Sequence, residues 1–145
     1  MAAAALPCTC FLLRKLARGV TQAYDRELAR AGLTVTQYSL LQHLRRAPGL
    51  SVAALGARMG IERTGLLRTL RPLIAAKYAR YGEREAGRSA ALEITAKGME
   101  RLRIATPLWQ RAQDRLAQRL GTSGVRELQR SLEASLEALS EEAAA

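Results

Sequence analysis

Apolar residues recur three and four positions apart along most of the chain, the spacing of one face of an α-helix. From Cys10 to Arg30 the stripe is Leu13, Leu16 with Ala17, Val20, Tyr24 and Leu28, which predicts one long amphipathic helix closed by Gly32. Thr34, with Gln37 three residues on, forms a capping box for a second helix that carries Tyr38, Leu41 and Leu44 inward until Pro48-Gly49 stops it. Ser51 caps a short third helix with Val52, Ala54 and Leu55 on its apolar side, and Gly60 ends it. The next stripe, Leu66, Leu70, Leu73 and Ile74, leaves Arg63, Thr64, Arg68 and Arg71 mainly on the opposite side. After Lys77 the period shortens into two extended runs, Tyr78 to Tyr81 and Ala90 to Ile94, around the turn-like segment from Gly82 to Arg88. Residues 51–94 therefore read as a helix-turn-helix followed by a hairpin wing with arginines at its tip.

Beyond the wing, Thr95 is the expected N-cap of a long helix to about Leu120, with Met99, Leu102, Leu108 and Leu116 apolar and Pro107 expected to bend it. Gly121 separates this from a last helix starting near Ser123, striped by Val125, Leu128, Leu132, Leu136 and Leu139. The expected fold class is mainly α with a small β-hairpin wing: a winged helix-turn-helix with N- and C-terminal dimerisation helices. At 145 residues and 48% hydrophobic, the chain is most economically one domain, with 51–94 as the reader and 8–46 and 95–142 as dimerisation and support helices. The final stripe has no evident partner within the chain, so a homodimer is expected.

Charge changes the picture from fold to partner. The net charge is +10, and between Arg58 and Arg88 eight basic residues face three acids, so half of the excess lies in about a fifth of the length. Arg84 and Arg88 add to this excess in the wing, beside the arginines of the second helix of the motif. Solvated faces normally mix signs; a bias where a groove-entering helix and wing would lie points to double-stranded DNA. The runner-up from another class is a basic helical module that binds an acidic protein. No apolar run approaches the ~20 residues needed to span a bilayer, so no membrane partner is expected and the location is read as cytoplasmic. Cys8 and Cys10 make no disulfide framework. With one histidine, His43, no phosphate-binding glycine loop and no metal-spaced cysteine and histidine cluster, neither an enzyme nor a cofactor is expected.

Three stretches then carry a family resemblance: Gly32-Leu33-Thr34-Val35-Thr36-Gln37-Tyr38, Arg63-Thr64 through Leu70-Arg71-Pro72-Leu73, and Leu92-Glu93-Ile94-Thr95-Ala96-Lys97-Gly98. Together they resemble the MarR family of bacterial transcriptional regulators over nearly the whole chain, from about Cys10 to the last helix. The resemblance implies a homodimer of winged helix-turn-helix subunits joined through the N- and C-terminal helices, and a reading helix that continues through Pro72. The family commonly has Asp-x-Arg at the wing tip; here Ala86, Gly87 and Arg88 stand there, so the arginine lacks that acid. Gly65 and Leu67 occupy places where polar residues are frequent, which shifts expected base recognition toward Arg63, Thr64, Arg68 and Thr69.

The resemblance also frames the signal. Members usually leave DNA when a small aromatic or phenolic acid binds, or when a cysteine is oxidised. For an acid, Arg14 and Arg18 are the candidate carboxylate partners, with Tyr38 and His43 supplying a ring and a titratable donor. For oxidation, Cys10 and Tyr24 match the reactive cysteine and the first of two tyrosines that hold it in the hydroperoxide-sensing branch, and Val35 stands where the second would be. Release of a repressor by an aromatic acid is the first expectation, and redox sensing through Cys10 the alternative.

Overall fold

The computed structural model describes residues 6–83, 86–87 and 89–144, with side chains to 140. The described residues fall into two compact units, Met1–Trp109 and Gln110–Ala145. In the first, α1 (Thr9–Leu28) runs into a 3₁₀ turn (Ala29–Ala31), followed by α2 (Val35–Arg46), α3 (Val52–Met59), α4 (Arg63–Ala75), β1 (Ala79–Tyr81) and β2 (Leu92–Ile94). Helix α5 (Ala96–Leu120) starts in the first unit and ends in the second, which also holds α6 (Thr122–Ala144). None of the described helices is long and apolar enough to cross a membrane.

The helix boundaries follow from side chains that satisfy terminal backbone groups. Thr34 Oγ1 accepts from the Gln37 amide at 3.2 Å and Gln37 Oε1 accepts from the Thr34 amide at 3.0 Å, which completes the expected capping box. Ser51 Oγ accepts from the Ala54 amide, and Gly60 ends α3 in the left-handed region at φ 62°. An additional tie joins α1 to α2: the Val35 amide donates to Asp25 Oδ1 at 2.7 Å, placing a carboxylate at the positive end of α2.

The core of the first unit is leucine-rich. Leu28, Leu40, Leu41, Leu44, Leu55, Leu66, Leu70, Leu73 and Leu92 are essentially fully buried. Leu40 was not on the expected inward stripe; α2 touches β2 as well as α1 and α4, so it is covered on more than one side. By contrast, the α1 stripe is buried only toward its C-terminal end, at Tyr24 and Leu28, while Leu13 and Leu16 remain 47% and 40% exposed.

The wing differs from its expected limits. β1 and β2 pair antiparallel in the register Ala79 with Ile94, Arg80 with Glu93 and Tyr81 with Leu92. Tyr78 lies just outside the ladder because its amide serves the preceding helix end, donating to the Leu73 carbonyl as the Lys77 amide donates to the Ile74 carbonyl, while the Tyr78 carbonyl accepts from the Thr95 amide across the hairpin. That helix end places Lys77 at φ 61°. On the other side of β2, the Leu92 amide donates to the Leu50 carbonyl at 2.8 Å, so the segment before α3 adds a one-residue third strand.

Thr95 caps α5 through a 3.0 Å bond from the Gly98 amide, and also donates its hydroxyl to the Lys77 carbonyl at 2.6 Å. A Cβ at Gly98 would collide with the Tyr78 carbonyl oxygen, so only glycine lets α5 approach the start of the wing this closely. Both internal prolines, Pro72 in α4 and Pro107 in α5, lie within uninterrupted helices.

Candidate nucleic-acid interface

Helix α4 is held by its apolar side and presents its basic side. Leu66, Leu70 and Leu73 are buried, Leu67 and Ile74 half-buried, and Arg63, Thr64, Arg68 and Arg71 exposed. No described residue forms an ion pair with Arg63, Arg68 or Arg71, so their guanidinium groups retain their full donor capacity for an anion. Thr69 is half-buried, and its hydroxyl donates back to the Gly65 carbonyl at 3.0 Å. Its oxygen can still accept, but its proton is committed. The supporting helix α3 packs tightly beneath: a Cβ on Gly56 would stand 2.9 Å from the Ile61 carbonyl oxygen, in the turn between the helices. The glycines of this segment are thus packing and helix-end positions.

In the wing, Arg80 and Glu93 form a cross-strand ion pair of 2.8 Å. The wing-tip arginines Arg84 and Arg88 lie outside the described residues. Lys97 and Arg101, at the start of α5, are structurally engaged. Lys97 Nζ donates to the Ala76 carbonyl at 3.0 Å and Arg101 Nη1 to the Ala31 carbonyl at 3.2 Å, and both cations lie over the Tyr78 ring, 5.3 and 5.1 Å from its centre. The stretch from Thr95 to Gly98 therefore owes its residue types to a structural junction among α4, β1 and α5.

The candidate effector residues occupy different settings. Arg14 and Arg18 are exposed on α1. Tyr38 is buried, its ring stacked on Trp109 at 5.9 Å and its hydroxyl accepting from Gln42 Nε2 at 2.8 Å. His43 is half-buried and its Nδ1 donates to the Ser39 carbonyl at 2.7 Å. Cys8 and Cys10 are free and exposed. Tyr24 is buried, and that burial raises its phenol above the ordinary value. Fourteen residues of continuous helix separate it from Cys10, about 21 Å at 1.5 Å per residue, so the two cannot meet within one chain.

Asp25, Arg80 and Glu93 are not among the candidate site residues that the sequence singles out. The charges of the latter two were visible, but their pairing depends on the hairpin register. Among the described residues, no group of three or more histidine, cysteine or acidic side chains could hold a metal ion.

The model of the MarR family matches residues 31–89, from the end of the turn after α1 to the segment that joins β1 to β2. Over a greater length, the transcriptional regulator MosR of M. tuberculosis is 36% identical, with 90% of this chain and 96% of that one aligned at a TM-score of 0.76. The chain belongs to the MarR family. MarR-family relatives of this kind are transcriptional regulators and not enzymes. MosR has also been solved in complex with DNA, and that structure is 35% identical over 92% of this chain and 98% of its own, at a TM-score of 0.78. Another chain of the MarR fold, the transcriptional repressor CouR bound to p-coumaroyl-CoA, is 24% identical over 90% of this chain and 91% of that one, with a TM-score of 0.78. No curated protein sequence matches.

Proposed function

We propose that this MarR-family chain binds double-stranded DNA sequence-specifically as a homodimeric repressor, reading a palindromic operator with α4 and leaving it when a small aromatic or phenolic acid binds. The observation that carries the DNA reading is the exposed face of Arg63, Thr64, Arg68 and Arg71 on a helix fixed from behind by Leu66, Leu70 and Leu73. Its support is the 35% identical MosR, solved with DNA. A regulator of this kind works in the cytoplasm. Footprinting of genomic fragments tests the reading: two symmetric half-sites roughly one helical turn apart, ~10 base pairs, are expected. A single unsymmetrical half-site at saturation would refute the dimeric arrangement.

Dimerisation is supported by apolar side chains that the described chain leaves in solvent. On α1 these are Phe11, Leu12, Leu13 and Leu16; on α6 they are Leu132, Leu136 and Leu139, the last two 67% and 64% exposed. A second copy with the same two faces would cover them.

For the signal, Arg14 and Arg18 supply cations beside those apolar side chains of α1, a combination suited to an amphipathic acid, with Tyr38 and His43 as the further candidate contacts. The acid must favour the state that does not bind DNA, since equal affinity for both states shifts nothing. A second reading, redox release through Cys10, is favoured by the exposure of both free thiols. Any tyrosine that holds the Cys10 sulfur would then come from the other subunit if it is Tyr24, given their separation along α1. One comparison separates the readings. Under the acid reading, the C8S/C10S variant still releases DNA with the acid, and Arg14→Ala or Arg18→Ala blunts the response. Under the redox reading, organic hydroperoxide releases the unaltered protein, and Cys10→Ser alone abolishes that release.

A further inference from the structure

The wing carries an ion pair whose geometry goes beyond what a hairpin needs. Arg80 and Glu93 are register partners across the two strands, and the Arg80 Nη2 to Glu93 Oε2 distance is 2.8 Å. On the Arg80 side the pair is open: its side chain is 68% exposed, against 39% for Glu93. The acid is the sheltered member and the cation the presented one. Gly82 makes this arrangement possible. A Cβ there would stand 2.9 Å from Glu93 Oε1 and 3.2 Å from its Cδ, so the missing side chain is the space that the carboxylate occupies. The pair lines an open hollow of about 700 Å³ in the wing, bordered also by Gly49, Gly82, Ser89 and a second acid, Glu83.

We propose that Arg80 is the phosphate-contacting cation of the wing base and that Glu93 is its positioning residue, with Gly82 leaving room for the carboxylate. The inference rests on the DNA-binding reading above and adds to it a specific contact. A guanidinium has five donors in a rigid fork. A carboxylate against one terminal nitrogen restricts the rotamers of the long side chain and leaves the other N–H groups available to a phosphate oxygen. This arrangement gives the wing a cation held by an acid that is supplied across the strands.

Charge and position predict opposite signs, which makes the proposal testable. Glu93→Gln removes a negative charge from a surface that meets a polyanion, so if Glu93 were a bystander binding would tighten. If Glu93 positions Arg80, binding weakens. Gly82→Ala gives the complementary perturbation: it keeps every charge and displaces the carboxylate. The displaced atoms are the far end of a flexible side chain, so the hairpin itself is spared.

The experiment measures fluorescence anisotropy of a mixed-sequence duplex of about 30 base pairs against the full-length protein at several salt concentrations, because phosphate contacts are read without a known operator. Arg80→Ala is expected to lower the slope of log affinity against log salt by about 1. Glu93→Gln and Gly82→Ala are each expected to weaken binding severalfold, and R80A/E93Q to bind no more weakly than Arg80→Ala alone. If Glu93→Gln binds as tightly as the unaltered protein or more tightly, or if its effect adds fully to that of Arg80→Ala, the positioning role is overturned while the DNA reading stands. If the unaltered protein binds no duplex, the DNA reading falls and this inference falls with it.

Discussion

Lys77 holds a backbone conformation, φ 61°, that glycine adopts freely and a side chain adopts at a cost of about 1–2 kcal/mol. It is tolerated because its neighbours hold it from three sides: the Lys77 amide bonds Ile74, the Tyr78 amide bonds Leu73, and Thr95 Oγ1 donates to the Lys77 carbonyl. Lys77→Gly should therefore raise stability, by roughly 0.5–1 kcal/mol after glycine's greater unfolded-state freedom is subtracted. Gly98→Ala should do the opposite. Its new Cβ meets the Tyr78 carbonyl, whose oxygen is already committed to the Thr95 amide and cannot retreat cheaply, so a loss of at least about 1–3 kcal/mol is expected. Denaturant titration of the two variants beside the unaltered protein checks both signs. On the exposed side of α4, Arg63→Ala or Arg68→Ala should cost about 1–3 kcal/mol on the operator and relax its sequence preference if each makes a bidentate base contact. Equal losses on operator and random duplex would instead reduce both arginines to phosphate contacts.

Elements whose limits are set by neighbours in sequence were legible; those set by distant segments were not. Thr34 with Gln37, Ser51, Gly60 and Thr95 each satisfy backbone groups within four residues, so the side chains alone disclose where α2, α3 and α5 begin and where α3 ends. Tyr78 is an exception of another kind: its β propensity suits a strand, but its amide is taken by the Leu73 carbonyl in the closing turn of α4, a local bond that the leucine stripe does not disclose. The Arg80 and Glu93 partnership was hidden because a register is a property of the closed hairpin, and composition cannot disclose it. Periodicity also says that a face is apolar without saying what covers it. In α6 that face remains open, with Leu136 and Leu139 largely in solvent. Replacing both with glutamate should leave the helical circular-dichroism signal intact while abolishing the dimer in sedimentation, because neither side chain is buried in the isolated chain. A doubly substituted protein that still sediments as a dimer would locate the interface elsewhere.

For the whole molecule, the consequence lies in the bond between the Leu92 amide and the Leu50 carbonyl. Leu50 immediately precedes the Ser51 cap of α3, so the second strand of the wing is tied to the origin of the helix-turn-helix as well as to β1. Leu92 is also fully buried in the same core as Leu55 and Leu70. A wing fastened in this way is expected to move together with the helices beside it, as one lever, rather than to flap alone. Deuterium exchange distinguishes the two kinds of motion. The Leu92 amide should exchange as slowly as the Leu70 amide in the middle of α4, with free energies of opening close to that of global unfolding, while Gly87 at the tip exchanges orders of magnitude faster. Rapid exchange at Leu92 beside slow exchange at Leu70 would mean that the wing is hinged at its base, and that α4 can stay in the groove after the wing has let go.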